Sequence, residues 1–542
     1  MPSRLFGPSS REWNPLTLAL LIAVWIATVA NWPLWRALFA LPENASLRGG
    51  LFVAGFAGLI AALTLALLAL AAWRRAIKPA AALLLLPAAA GAHFMGSYGV
   101  VIDPTMMTNV LQTNVTETRD LLGWRLFASL LVIAALPIAW LWRVRVRRLG
   151  VGAQLVRNVG GLVAAVGVSA LLLFAIFADL SATMRNHKSL RYLINPHNSF
   201  YALGVLAHQA NAKPAGPPLP IGEGATLAER PPGRKPPLFL LVVGETARGD
   251  HFSLNGYQRP TNPMLAGLGV VSFRDVTSCG TNTAASLPCM FSHLGREAYV
   301  SRERDQENLL DLAHRLGLAV LWLENQSGCK GVCERVPVID ASQGAPAALC
   351  SDGECLDEAL LHGLDARVAA LPAERRARGV LLVMHQMGSH GPAYWRRSPP
   401  DGKPFLPECE TNVLQQCDRQ ALINAYDNSI AYTDRMLAGA IGWLKQQSAF
   451  EPLMLYVSDH GESLGENGLY LHGLPYAVAP REQKHPAMVV WTPSADQRQC
   501  LAAQRDAPLS HDHLFHTVAG TLGIHAAEYR PALDLLAPCR AP

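Results

Sequence analysis

The chain has 542 residues, half of them hydrophobic and only 16% charged, with a formal net charge of +5. That length exceeds one ordinary domain. The charge is mild and no basic run is interleaved with aromatics, which excludes a nucleic-acid-binding class and predicts no nucleic-acid partner. The apolar excess sits in about the first 180 residues, which predicts a membrane region followed by a soluble one.

Five apolar stretches approach the ~20 residues needed to span a bilayer. They cover 16–40, 50–72, 79–99, 126–142 and 157–179. The first is too long for a cleavable signal, and no small-residue cleavage site follows it. Trp32, Trp35, Trp73 and Trp142 lie near span ends, as interfacial anchors do. Arg4 and Arg11 precede the first span. Arg74, Arg75 and Lys78 join the second to the third, and Arg143, Arg145, Arg147, Arg148 and Arg157 join the fourth to the fifth. By the positive-inside rule the N-terminus is cytoplasmic, and five spans then leave everything after about residue 180 outside.

The loop between spans three and four is polar. Asn109, Thr113 and Glu117 recur every fourth residue and would share one face of a helix. That face is either simply solvated or meets a lipid headgroup. After the fifth span, Lys188 to Tyr201 mixes aromatics and Leu with Lys and Arg, which predicts a short amphipathic helix at the interface. A Pro- and Gly-rich run then reads as a linker, giving a division at 1–180, 181–237 and 238–542.

All ten cysteines follow residue 270, in close groups: Cys279 and Cys289, Cys329 and Cys333, Cys350 and Cys355, Cys409 and Cys417, then Cys500 and Cys539. Short-spaced pairs suggest disulfides in an oxidising compartment, in agreement with the topology. The rival is a zinc site from Cys329, Cys333, Cys350 and Cys355.

From 238 the pattern changes. "LFLLVVGET", "LAVLWLENQ", "GVLLVMHQMGSH" and "PLMLYVSDHGES" are apolar runs that end in polar residues. Such runs read as buried parallel strands. Helical stretches at 305–316, 356–371 and 421–446 lie between them, so an α/β sandwich with a mostly parallel sheet is expected. Sites in such sheets gather at the carboxyl ends of the strands. Those ends carry Glu245, Glu324, His385, His390, Asp459 and His460.

Glu245, Asp459 and His460 form a donor set that suits Zn²⁺. Thr283, in "TSCGTNTAASLPC", could take a fourth position, where a cation would favour its alkoxide. The segment from Thr283 should open a helix, with Thr281 or Thr283 as the alternative reading of a simple cap. His390 and His472 stand in Gly-Pro loops, and Lys330 lies in "NQSGCKGVC", where it could neutralise a phosphate oxygen. "SHDHLFHT" invites a metal reading, but Ser510 reads better as a helix cap.

These motifs, in this order, closely resemble the lipid A phosphoethanolamine transferases, including the transferable polymyxin-resistance enzymes, of the alkaline-phosphatase and sulfatase superfamily. The likeness runs through "DPTMMTNVLQT", "LRYLINP", "VGETARGDHFSLNGY", "SCGTNTAASLPCMFS", "NQSGCKGVC", "HQMGSHGPAY" and "SDHGESLGENGLYLHGLPYA". The resemblance implies that Thr283 carries a phosphoethanolamine intermediate. It implies that Glu245, Thr283, Asp459 and His460 hold one tight zinc. His390 and His472 match residues that hold the donor phosphate or a second, weaker zinc. Lys330 is similar to the family lysine near the phosphate, and Asn109, Thr113 and Glu117 to positions that meet the donor ethanolamine. It further implies an inner-membrane protein with a periplasmic catalytic domain, phosphatidylethanolamine as donor and lipid A as acceptor; a monomer is expected. Glu324 departs from the Asp expected there. Three rivals stand beside this reading: transfer to a lipopolysaccharide core sugar, a phosphatase- or sulfatase-like hydrolase, and a non-catalytic receptor.

Overall fold

The computed structural model describes residues 12–113, 115–212 and 216–540. Arg4, Arg11 and the side chain of Glu117 lie outside the described residues. The chain divides into two compact units. One holds the described residues up to Met107 together with Leu122–Ala207; the other holds Thr108–Leu121 and the chain from His208 onward.

In the first unit four helices are long and apolar enough to cross a membrane: Leu47–Leu70, Ile77–Tyr98, Trp124–Arg143 and Val151–Asn186. Pro15–Ala30 and Trp32–Phe39, bent by 50°, make a fifth if they count as one span. The bend falls at Asn31, whose Nδ2 donates to the carbonyls of Ile26 at 2.9 Å and Asn195 at 2.6 Å. Those bonds satisfy backbone groups that a break in an apolar medium would otherwise leave unpaired. The last helix overruns the apolar stretch 157–179 at both ends. Gln154 and Arg185 end the apolar band there, but both are good helix formers.

One expectation fails here. Lys188–Tyr201 is not a single helix: a 3₁₀ turn spans Lys188–Leu193 and a separate helix spans His197–Ala212. Pro196 separates them, because proline lacks the amide and pushes its predecessor out of the helical region.

The second unit is built on a seven-stranded sheet. Its strands are β1 Pro237–Gly244, β2 Val271–Phe273, β3 Ala319–Glu324, β4 Val338–Asp340, β5 Val380–His385, β6 Glu451–Ser458 and β7 Met488–Trp491. Their order is β2-β7-β6-β1-β5-β3-β4, and β7 alone runs against its neighbours. The expected mostly parallel sheet is therefore present. β1, β5 and β6 are buried almost throughout, as strands covered on both faces must be. Alternate residues such as Phe239, Leu241, Val243, Leu381, Val383 and Leu455 enter one core with Leu287, Phe515 and Val518 from flanking helices.

Helix boundaries differ from the sequence reading in places. The stretch 305–316 is helical only over Leu309–Arg315, where Asn308 and Asp311 form a reciprocal capping box. The stretch 356–371 is two short pieces, Asp357–Leu361 and Leu364–Ala369, parted at Gly363 with φ 66°. The stretch 421–446 belongs to a longer helix, Arg419–Gln446, capped by Asp418. The helix Pro104–Gln112 ends before Thr113, so Asn109 and Thr113 do not share one helical face. The Thr113 hydroxyl turns back onto Asn109 O at 2.8 Å, the local bonding that Thr offers at a helix end. All ten cysteines pair within their spacing groups, so no Cys₄ metal site forms among the described residues.

Candidate active site

β1 and β6 lie side by side in parallel and finish level, at Gly244 and Ser458. The residues that follow them, Glu245 and Asp459, are therefore brought together by sheet register alone. Asp459 N donates to Gly244 O at 3.0 Å and fixes that meeting. Glu245, Asp459 and His460 are all fully buried. Gly388 packs so closely on Glu245 that a Cβ there would come within 2.7 Å of its carbonyl, and its φ is 54°.

Each of the three side chains has one polar atom satisfied by protein and one left over. Asp459 Oδ1 accepts from His460 N at 2.8 Å and Thr246 N at 3.3 Å. His460 Nδ1 donates to Gly461 O at 2.8 Å, which turns Nε2 toward the two carboxylates. Glu245 Oε2 accepts from Thr283 Oγ1 and Gln326 Nε2, both at 3.0 Å. The remaining atoms, Glu245 Oε1, Asp459 Oδ2 and His460 Nε2, have no hydrogen-bond partner. They converge: Nε2 is 3.3 Å from Oε1 and 3.4 Å from Oδ2. Two buried oxygens and one imidazole nitrogen, each unpaired and mutually within 4.8 Å, fit a tetrahedral cation such as Zn²⁺ with one position left open. Backbone and side-chain groups behind the three orient them as supporting shells of metal sites do.

The electrostatics agree. Burial and the charge of Glu245 push Asp459 up to about 7. Burial opposes charge on His460 too, but Asp459 and Glu245 outweigh it and raise His460 to about 10. Glu245 goes the other way: burial would raise it, but the neighbouring imidazoles of His460, His390 and His472 outweigh that and lower it. The cluster is short of positive charge.

Thr283 opens an eight-residue helix, α1 Thr283–Met290. The cap is Asn282, whose Oδ1 accepts from Ala285 N at 3.0 Å, so neither Thr281 nor Thr283 serves that role. Asn is as good a cap as Thr or better. Thr281 instead donates to Leu474 O at 2.6 Å, which ties this loop to the one bearing His472. Thr283 is thereby free to point at Glu245 from the positive end of a helix. The Cys279–Cys289 bridge closes the same loop.

His472 lies next to the cluster, its ring centroid 4.4 Å from His460 and 5.6 Å from His390. Its Nδ1 meets the buried carboxylate of Glu462 at 3.3 Å. Burial lowers the His472 pKa, with Glu462 opposing. His385 does not join the group: both oxygens of Glu324 lie 3.1 Å from its Nδ1. Lys330 donates to Ser327 O and Oγ and to Gln112 O, at 3.0–3.3 Å, within a loop where its φ is 48°. A cavity of about 420 Å³ lined by Lys330, Thr108, Gln112, Ala284 and Arg302 lies on this side. Asn109 and Thr113 are on that same Thr108–Leu121 segment.

Sequence reasoning missed three contributors, Gln326, Glu462 and His511, and named Glu324 at its strand end without this role. Gln326 holds Glu245; Glu324 holds the Gln326 turn by accepting from its amide at 2.7 Å; Glu462 holds His472. His511 joins three pieces of backbone and side chain: its Nδ1 accepts from Cys279 N at 3.0 Å and its Nε2 donates to Ser458 O at 2.9 Å, with Ser286 Oγ at 3.3 Å. Ser510 is not the cap of its helix, Asp512–Thr521; His511 occupies that position and Ser510 Oγ accepts from Asp512 N.

Comparison with known proteins agrees with this architecture. Residues 237–524 match the sulfatase family, and residues 60–210 match the family described as phosphoethanolamine transferase EptA/EptB. Phosphatidylethanolamine transferase Mcr-1 of Escherichia coli is 39% identical over 94% of this chain and 95% of its own. Phosphoethanolamine transferase EptA of Salmonella typhimurium is 39% identical over 96% of each. The solved structure of the integral membrane lipooligosaccharide phosphoethanolamine transferase A from Neisseria meningitidis superposes with a TM-score of 0.91 at 33% identity, covering 97% of this chain and 99% of that one. With 39% identity to Mcr-1 and EptA over nearly their whole length, and the same fold as the Neisseria enzyme, this chain belongs to the phosphoethanolamine transferase family.

Proposed function

We propose that this protein transfers phosphoethanolamine from phosphatidylethanolamine to a phosphate of lipid A, through a covalent intermediate on Thr283. The observation that carries the reading is the trio of unpaired ligand atoms beside the one hydroxyl bonded to Glu245. The names of the relatives supply the transferred group, and lipid A appears in the name of a more distant relative of Escherichia coli, 26% identical.

Glu245, Asp459 and His460 would hold a Zn²⁺. When bound, it would supply positive charge that favours a deprotonated hydroxyl and offsets charge on phosphoryl oxygens. Thr283 Oγ1 attacks phosphorus, forming a new P–O bond as the bond to diacylglycerol breaks. Its hydroxyl proton, already directed at Glu245 Oε2, passes to that carboxylate and returns to Thr283 when its P–O bond breaks in the second step. His472, held by Glu462, is placed to give a proton to the leaving oxygen and later to take one from the entering phosphate. His390 stands on the other side of His472, and Lys330 borders the adjoining cavity; both suit the donor phosphate. In the second step a lipid A phosphate oxygen attacks the phosphothreonine and Thr283 leaves. The five spans would keep both lipids in reach, with the N-terminus cytoplasmic and the catalytic unit periplasmic. Covering a lipid A charge weakens capture of cationic peptides such as polymyxin.

The test is expression in a polymyxin-sensitive Gram-negative host, with mass spectrometry of its lipid A. The expected result is one added phosphoethanolamine group and raised polymyxin tolerance, both lost with Asp459→Asn. Unmodified lipid A with phosphoethanolamine on a core sugar would redirect the acceptor. Release of free phosphoethanolamine without either product would mark a hydrolase.

A further inference from the structure

Arg397 is a charged side chain with almost no solvent contact, at 3% exposure. All three arms of its guanidinium are engaged. Nη2 meets Asp120 Oδ2 at 2.9 Å, Nη1 meets Glu354 Oε2 at 2.8 Å, and Nε donates to the carbonyl of His390 at 2.9 Å. The third contact falls on the backbone of a candidate phosphate-binding histidine. Asp120 lies at the far end of the helix Val115–Leu121, on the segment that also carries Asn109 and Thr113. Asp120 is itself 5% exposed, and its carbonyl accepts from Asn412 Nδ2 at 2.7 Å. Glu354 is on the hairpin closed by Cys350–Cys355. From the other side, Asp357 accepts from Met387 N at 2.8 Å and Gly388 N at 2.9 Å, which fixes the start of the same loop. The far end of that loop, at His390, is held by Arg397.

We infer that the buried Asp120–Arg397 pair positions His390, so that seating of the Thr108–Leu121 segment sets the geometry of the phosphate-binding side of the site. This rests on the role given to His390 above. A buried guanidinium stays in place only while its charge is paired. If Asp120 leaves, Glu354 alone pairs the charge and only two of the three bonds hold the fork, so the bond from Nε to the His390 carbonyl loses its fixed direction. The planar fork makes the relay specific to arginine, because an ammonium is a point charge that cannot reproduce the three directed bonds. Arg396 is a built-in control: it also reaches Asp120, at 3.3 Å, but its other partner is Asp352, away from His390. The consequence is that the polar segment between the third and fourth apolar helices does more than meet the donor lipid. Its docking completes the site that receives the donor's phosphate.

The test uses the full chain in phosphatidylethanolamine nanodiscs, reading kcat and KM for transfer, the Thr283 adduct, and amide exchange in 115–121. Asp120→Asn should lower kcat about tenfold or more and expose the 115–121 amides. Arg397→Lys should lower kcat similarly while those amides stay protected, since charge pairing survives and the bond to His390 does not. The double variant should be no worse than the worse single one, because both act through one relay. Arg396→Gln should stay within about twofold of the parent. Retention of kcat in Arg397→Lys, or multiplication of the two losses in the double variant, would overturn the relay. If Asp120→Asn fails to fold, Arg397→Lys against Arg396→Gln decides alone: equal kcat values sink the idea. Absence of any adduct in the parent chain would instead count against the transfer reaction itself.

Discussion

Glu245, Asp459 and His460 each use one polar atom within the protein and turn another inward. Gln326 is the least expected partner in this arrangement. Its Nε2 bond to Glu245 Oε2 leaves Oε1 as the atom that faces the cluster. Gln326→Leu should therefore weaken zinc binding by about 10- to 100-fold, the usual effect of removing a supporting partner of a metal ligand. Competition against a chromogenic chelator measures this directly, and unchanged affinity would remove Gln326 from the account. The three ligand candidates were legible in sequence because all lie within two residues of the end of an apolar strand, where parallel sheets gather their sites. Gln326 and Glu462 were not. A polar residue in a loop looks the same in sequence whether it faces solvent or a ligand. Only strand register, which sets Glu324 beside His385 and so fixes the turn that presents Gln326, tells them apart.

Among elements, the helix of Thr283 and the strand of Asp459 are joined by His511. Buried and neutral, its pKa is lowered to about 3, mainly by burial. A histidine with a depressed folded pKa stabilises the fold fully above its unfolded value near 6.5, and that contribution is lost as pH falls toward 3. Each unit of pH in that window should cost about 1.4 kcal/mol from this group. His511→Gln keeps a donor and an acceptor but cannot titrate. Thermal unfolding of the detergent-solubilised protein between neutral and mildly acidic pH should fall more steeply for the parent than for the variant; parallel curves would contradict the assignment. At this scale the sequence was a fair guide to strands and a poorer one to helix ends. The mostly parallel sheet follows from uniform apolar runs. The helix end at Gln112 has no proline or glycine to announce it, so a spacing of four residues suggests one face for Asn109 and Thr113 that the helix does not extend to. The cap of α1 is not legible in sequence because three candidate caps, Thr281, Asn282 and Thr283, stand in a row, and only backbone geometry selects Asn282.

The molecule as a whole combines helices of membrane length with a buried, cation-seeking cluster at strand ends. The membrane helices were plain from composition, because about 20 apolar residues in succession have few other uses. The place of Thr108–Leu121 was not, since its attachment to the catalytic unit runs through Asp120, Asn412 and Arg397, which are far apart in sequence. The account requires one reaction to draw on all of these parts: a lipid donor, a hydroxyl and a charged cluster. Its central claim is that Thr283 itself becomes phosphorylated by the donor headgroup. Intact-mass spectrometry of the purified chain after incubation with phosphatidylethanolamine, beside Thr283→Ala, tests this most directly. A gain of one phosphoethanolamine group in the parent, with diacylglycerol released and no gain in the variant, is the predicted result. No adduct and no diacylglycerol, or an adduct that persists in Thr283→Ala, would contradict it.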